Sequence, residues 1–251
     1  MLWIMRRLQV FGLILAMSIG VGTLASDPRA FAQPATNTQT VVELFTSQGC
    51  SSCPPADALL RKLSTRPGII ALSLHINYWD YIGWKDPFAS KDSTDRQHRY
   101  AEALRQRFVY TPEMVIDGFA DVDGSQEDEV AHLIDKAANR DRLRIPVTVK
   151  SEGDGKVTVS LPGTDNGIKA TVWLFAYDRE HVTAVPTGEN GGRSLTDTNV
   201  VRELQRLGEW DGKPAELSAQ LADASSRDGV AVVVQNAEAG PVIGAAAITL
   251  H

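Results

Sequence analysis

The chain has 251 residues, with 31 Asp and Glu against 25 Lys and Arg and a formal net charge of -6. That balance excludes a basic footprint for nucleic acid and any electrostatic draw towards anionic lipid. Two cysteines exclude a multi-disulfide scaffold, and the length suits one large or two small domains behind a leader.

Arg6 and Arg7 make a short positive start, and Leu8 to Leu24 follow without a charge. Ala30-Phe31-Ala32 then supplies small residues where a signal peptidase reads. The layout predicts a signal peptide over residues 1–32; a cut after Ala25 and an uncleaved anchor are the alternatives. Cleavage removes three arginines and one aspartate, so the remainder is two charges more acidic. A periplasmic or secreted protein follows, with no membrane attachment after cleavage.

Residues 38–142 alternate strands with helices. Thr40 to Thr46 is a β-rich apolar run, Ala56, Leu59, Leu60 and Leu63 have helical spacing, and Ile69 to Ile76 is a second buried strand. An aromatic loop from Asn77 to Lys91 precedes a helix that Ser93 or Thr94 caps and that reaches Phe108. Glu113 to Ile116 and Phe119 to Val122 form a hairpin around Asp117-Gly118. Ser125 with Asp128 reads as a capping box opening a last helix. The order is β-α-β-α-β-β-α.

Residues 143–251 turn to strands. The candidates are Ile145 to Lys150, Lys156 to Leu161, Ala170 to Tyr177, Val182 to Val185, Ala215 to Leu221, Val230 to Gln235 and Val242 to Leu250. Val200 to Leu207 fits helix and strand equally. So many short strands predict a separate all-β, sandwich-like domain. Gly188 to Leu195 has no lysine or helix after it, so it is a long loop and not a phosphate loop. It holds Glu189 and Arg193, which are in reach of the face described next.

Cys50-Ser51-Ser52-Cys53 follows the first strand and a short loop. A bridge over four residues is a poor staple, roughly 2 kcal/mol at best, so the pair points to redox chemistry. Placed at a helix start, Cys50 is the accessible, low-pKa nucleophile, and Cys53 resolves the mixed disulfide. Pro54 and Pro55 suit a first helical turn. His75 ends the second strand on the same side, where it tunes the thiol or anchors its loop. Trp79 and Asp80 are the candidates for a substrate groove, if the aromatic loop does more than pack on itself.

The element order, the C-x-x-C and the later Thr111-Pro112 together resemble the thioredoxin superfamily. The resemblance implies a thioredoxin-like domain, a central mixed sheet flanked by helices, with Pro112 cis and facing the disulfide beside Thr111. It also implies a buried acid before the motif, a position Glu43 matches, although the loop from Glu43 to Cys50 is one residue longer than in thioredoxin. The stretches FTSQGCSSCPPAD, HINYWDYIGWKDPFAS and GENGGRSLTDTNVVREL are similar to a family of exported bacterial proteins defined as a domain of unknown function, over nearly all of residues 39–251.

The leading function is thiol-disulfide exchange with protein thiols, without a bound cofactor. Reductase, oxidase and isomerase are not separable from sequence. Two alternatives stand beside it. One is a Cu(I) chaperone using Cys50, Cys53 and His75, because Cu(I) favours soft thiolates. The other is a non-catalytic interaction protein with an inert disulfide.

Overall fold

A computed structural model describes residues 39–140, 143–164 and 167–250. The expected leader, residues 1–32, lies outside them, and among the described residues no helix is long and apolar enough to cross a membrane. In chain order the elements are β1 (Thr40–Thr46), α1 (Pro54–Ser64), β2 (Ile69–His75), α2 (Lys91–Leu104), β3 (Glu113–Ile116), β4 (Ala120–Asp123), α3 (Glu127–Asn139) and β5 (Thr148–Gly153). Then come β6 (Lys156–Leu161), β7 (Ala170–Val185), β8 (Arg193–Trp210), β9 (Ala215–Gln220), β10 (Gly229–Asn236) and β11 (Val242–Thr249). The fold is a sheet-rich, mixed α/β arrangement.

The expected separation into an α/β sheet and a sandwich-like domain is replaced by a shared sheet. Its eight strands run β11-β10-β7-β8-β2-β1-β3-β4. The seam is narrow: β2 and β8 pair in parallel at Ser73 and Val200. Asn199, in left-handed conformation at φ 49°, adds a bond from its Nδ2 to the Ala71 carbonyl at 2.9 Å. A smaller antiparallel sheet, β5-β6-β9, is the part of the sandwich expectation that stands apart.

Side-chain alternation sorts the apolar residues into three cores. Val42 and Leu44 of β1 pack with Leu59, Leu60 and Leu63 of α1 and Val130 and Ile134 of α3. Val41 and Phe45, on the opposite face, pack with Tyr100 of α2 and with Phe175 and Val233 from the later strands. The third core joins the small sheet (Val149, Val157, Val159) to the outer face of the large one (Val172, Leu174, Val232).

The large sheet curls. Nη2 of Arg96 donates to Glu43 Oε1 on β1 and to Gln235 Oε1 on β10, each at 2.8 Å. Those strands are four places apart in the sheet, about 19 Å if it were flat. A second contact supports the closure: Val242 N–H donates to the Asp117 carbonyl at 2.9 Å.

Local signals explain where the elements differ from expectation. Helix α2 is capped by Ser90, whose oxygen accepts from Ser93 N–H, because Thr94 is engaged with Asn77. It stops at Arg105, which turns left-handed at φ 58°, and leaves Phe108 exposed. Ser125 donates to Asp123 and does not cap α3, which starts after Gln126. The two expected strands at Ala170 to Tyr177 and Val182 to Val185 are one strand, β7. Their polar join, Asp178 to His181, is carried by pairing with β8. The same pairing, seen from β7, decides the ambiguous Val200 to Leu207 as strand.

Candidate functional site

Cys50 and Cys53 form a disulfide between β1 and α1, with Cα atoms 5.5 Å apart. Cys53 is the N-cap of α1, and the helix proper begins with Pro54 and Pro55, which have no N–H to offer. Cys50 therefore does not stand at the helix start. It sits one turn upstream, where its carbonyl accepts from Cys53 N–H at 3.3 Å. It is also covered, at 3% exposure, whereas Ser51 and Ser52 face solvent. The expectation of an accessible Cys50 is corrected on both counts.

The motif loop is bonded to the chain's other half. At the tip of the β7–β8 hairpin, Asn190 is fully buried, and its Nδ2 donates to the carbonyls of Gln48 and Cys50, each at 2.9 Å. Arg193 steadies Asn190 through Oδ1 at 2.8 Å, and Glu189 Oε2 lies 3.4 Å from Ser51 N–H. The glycine-rich loop thus reaches the disulfide as expected. Its buried contact, Asn190, was not singled out, although it lies inside the quoted stretch GENGGR.

Trp79 connects the motif to the proline loop. A Cβ on Gly49 would lie 3.3 Å from Trp79 Cβ, and Trp79 Nε1 donates to Thr111 Oγ1 at 2.7 Å. The Thr111-Pro112 peptide is cis, as the resemblance implied. Asp80, part-exposed, accepts from Asp86 N–H at 3.2 Å and so shapes the loop.

Glu43 is elsewhere. It shares the face of Val41 and Phe45, away from α1, and its carboxylate binds Arg96 Nε and Nη2 and accepts from Tyr100 O–H at 2.5 Å. Strand side chains alternate faces, so Glu43 stands with Val41 and Phe45 and opposite Val42 and Leu44, which pack with α1.

A different acid lies by the cysteines. Asp57 is one helical turn after Cys53, hence on the same helix face. Its N–H donates to the Cys53 carbonyl at 3.1 Å, and its Oδ1 accepts from Thr46 Oγ1 at 2.9 Å. Burial, with the nearby Asp197 charge, raises its pKa to about 7; His75 and the Thr46 bond only partly offset this.

His75 is fully buried within the same cluster. Burial alone would lower its pKa, but Asp86, bonded to Nδ1 at 2.7 Å, together with Asp197 and Asp57, holds it up at about 9. The imidazolium in turn keeps Asp86 below the usual carboxylate range against its burial. Gln48 ties this cluster to the motif loop, accepting nothing from it but donating N–H to Asp86 at 2.8 Å and Nε2 to Asp197 at 2.7 Å. The structure therefore places His75 beneath the motif loop as an anchor. Among the described residues, no group of three His, Cys, Asp or Glu side chains could hold a metal ion. The set Cys50, Cys53 and His75 is not assembled as a ligand cluster.

A cleft of about 630 Å³ opens along α1 from Pro54 past Asp57 and Arg61 to Arg193 and Leu195 of β8. It runs between α1 and the first residues of β8, and Pro54 follows Cys53 directly.

Fold and site define a sheet-rich α/β protein with a covered C-x-x-C disulfide between a central strand and its helix. Residues 41–235 match the family described as a protein of unknown function (DUF1223), and the chain belongs to that family. A crystal structure of protein AGR_C_4864 from Agrobacterium tumefaciens is 33% identical, with a TM-score of 0.74, over 88% of this chain and 97% of that one. A superoxide reductase (1Fe-SOR) from Giardia intestinalis, at 16% identity and a TM-score of 0.25 over 41% of this chain and 94% of that one, carries no argument. No curated protein matches.

Proposed function

We propose that the protein is a thiol-disulfide oxidoreductase acting through Cys50 and Cys53. The observation that carries this is the disulfide's position: it closes the loop between a central strand and α1, with a buried acid of near-neutral pKa one turn below. A stabilising role explains little, since closing four residues constrains the unfolded chain by roughly 2 kcal/mol at most. The thioredoxin-like order of β1 to α3 supports the reading, and the leader-like residues 1–32 add a periplasmic or secreted setting to it.

In the exchange, a thiolate sulfur of the partner bonds to Cys50 Sγ. The Cys50–Cys53 bond breaks, and Cys53 leaves with the electron pair. Asp57, protonated below about pH 7, supplies the proton that turns Cys53 into a thiol. A second partner thiolate then attacks its own sulfur in the mixed disulfide, leaving as a disulfide and freeing Cys50. The partner is oxidised and the protein is reduced by two electrons. Glu43 has no part in this, and no cofactor is required.

The test is the reduction potential, read from free-thiol content in glutathione and dithiothreitol buffers, with a Cys53→Ser variant to trap partners on Cys50. A potential in the range of catalytic dithiols, about -120 to -270 mV, and a trapped mixed disulfide are expected. A potential below about -300 mV, with nothing trapped, refutes the proposal and leaves an inert bond.

A further inference from the structure

Resting on that exchange reading, we infer that the β7–β8 hairpin tip is the specificity element of the site, with Asn190 as its latch. Closed, it admits small thiols to Cys50 and excludes the thiols of folded proteins. The residues around Asn190, from Pro186 to Glu189 and from Gly191 to Ser194, are all exposed, yet Asn190 is fully buried. An exposed turn gains nothing for its own folding by sinking one polar residue. The burial serves the two bonds that Asn190 makes to the backbone carbonyls flanking Gly49.

The tip projects beyond the strand pairing and reaches the motif loop through side chains. Strand pairing ends at Val185 with Arg193. Between them, Gly188 and Gly192 have φ of 78° and 80°, conformations that glycine adopts without strain. Its ties to the rest of the protein include Thr187 Oγ1 to the Gly83 carbonyl at 2.6 Å, the close approach of Gly188 to Gly83 and Trp84, and the Glu189 contact to Ser51, while Arg193 holds Asn190. With the latch closed, Cys50 is 3% exposed and Cys53 is wholly covered. Attack on a disulfide requires the incoming sulfur to reach the attacked sulfur itself. A molecule of a few atoms can do this through a narrow opening, and a thiol carried on a folded surface cannot unless the tip moves.

The experiment compares two dithiols on the intact oxidised protein: dithiothreitol as the small one and reduced thioredoxin as the bulky one. Both reductions are followed by quenching with an alkylating agent and weighing this protein's own Cys50 and Cys53 adducts, and the readout is the ratio of the bulky to the small rate. Asn190→Ala should raise that ratio at least tenfold, mainly through the thioredoxin rate. Arg193→Ala, a change at an exposed position, should raise it in the same direction by less, and it stands in if Asn190→Ala does not fold. An unchanged ratio overturns the inference, whether both rates stay, rise together or fall together, because the tip then restrains the site without selecting partners. The result is separate from that for the proposed function. A potential below about -300 mV would sink the exchange reading, whereas an unchanged ratio at a potential in the catalytic range would sink the latch alone.

Discussion

Arg96→Met should be among the most destabilising single changes in the molecule. Arg96 is fully buried and gives Nε and Nη2 to Glu43, with Nη2 also donating to Tyr100 and Gln235. Its guanidinium carbon lies 4.8 Å from the ring centre of Phe175 and 5.3 Å from that of Trp173. Methionine keeps much of the apolar volume and removes the charge. Glu43 is then left buried with Tyr100 as its remaining donor, and Gln235 loses its link to β1. Breaking a buried pair from one side costs roughly 3–5 kcal/mol. That is a large share of the roughly 5–15 kcal/mol that holds a typical protein folded. For a chain of this size it corresponds to a fall in melting temperature of about 6–20 °C. Urea unfolding of the purified protein measures the loss. Adding Glu43→Gln to the variant should recover about 1–3 kcal/mol, because no uncompensated charge remains. A loss under about 1 kcal/mol for Arg96→Met, or strict additivity in the double variant, would refute the view that this cluster pins β1 to β10.

Three further outcomes are expected. Asp57 has a folded pKa raised to about 7, so its stabilising contribution is complete below its ordinary value near 4 and is lost as pH rises to 7. Asp57→Asn should therefore flatten the decline of stability between pH 4 and 7, and an unchanged slope in urea titrations would show that the carboxyl is not protonated in the fold. Gly118→Ala should abolish folding or cost several kcal/mol, because its Cβ would lie 2.2 Å from the Gly240 carbonyl at a φ of 64°, whereas Gly68→Ala, with open space at a φ of 82°, should cost only about 1 kcal/mol; equal melting temperatures would contradict this. Asn199→Val should lose about 1–3 kcal/mol through left-handed strain and the missing bond to Ala71 beside the Ser73–Val200 seam, with Asn199→Gly losing less; the reverse order in thermal unfolding would refute that account.

Local pattern was enough for most of the elements. Thr40–Thr46, Glu113–Ile116 and Lys156–Leu161 match the strands read from sequence, because β-branched alternation and turn residues act within a few positions. The C-x-x-C and its reach by the glycine-rich stretch were legible for the same reason: reactive residue types and loop formers carry their meaning locally. What the sequence could not settle is whatever depends on which strand pairs with which. Val200 to Leu207 is helix or strand until β7 lies beside it. A boundary at Leu143 looks natural until β8 pairs with β2 and Arg96 draws β1 and β10 together. Glu43 and Asp57 show the limit most sharply. Both are acids near the cysteines in sequence, but a strand alternates sides at every residue, which puts Glu43 into an ion pair on the face away from α1, and a helix returns after four. Asp57 comes under Cys53 instead, and its near-neutral pKa is set first by burial and then by Asp197, with His75 opposing and Asp86 adding, from three distant parts of the chain. Burial and long-range charge belong to the tertiary structure alone.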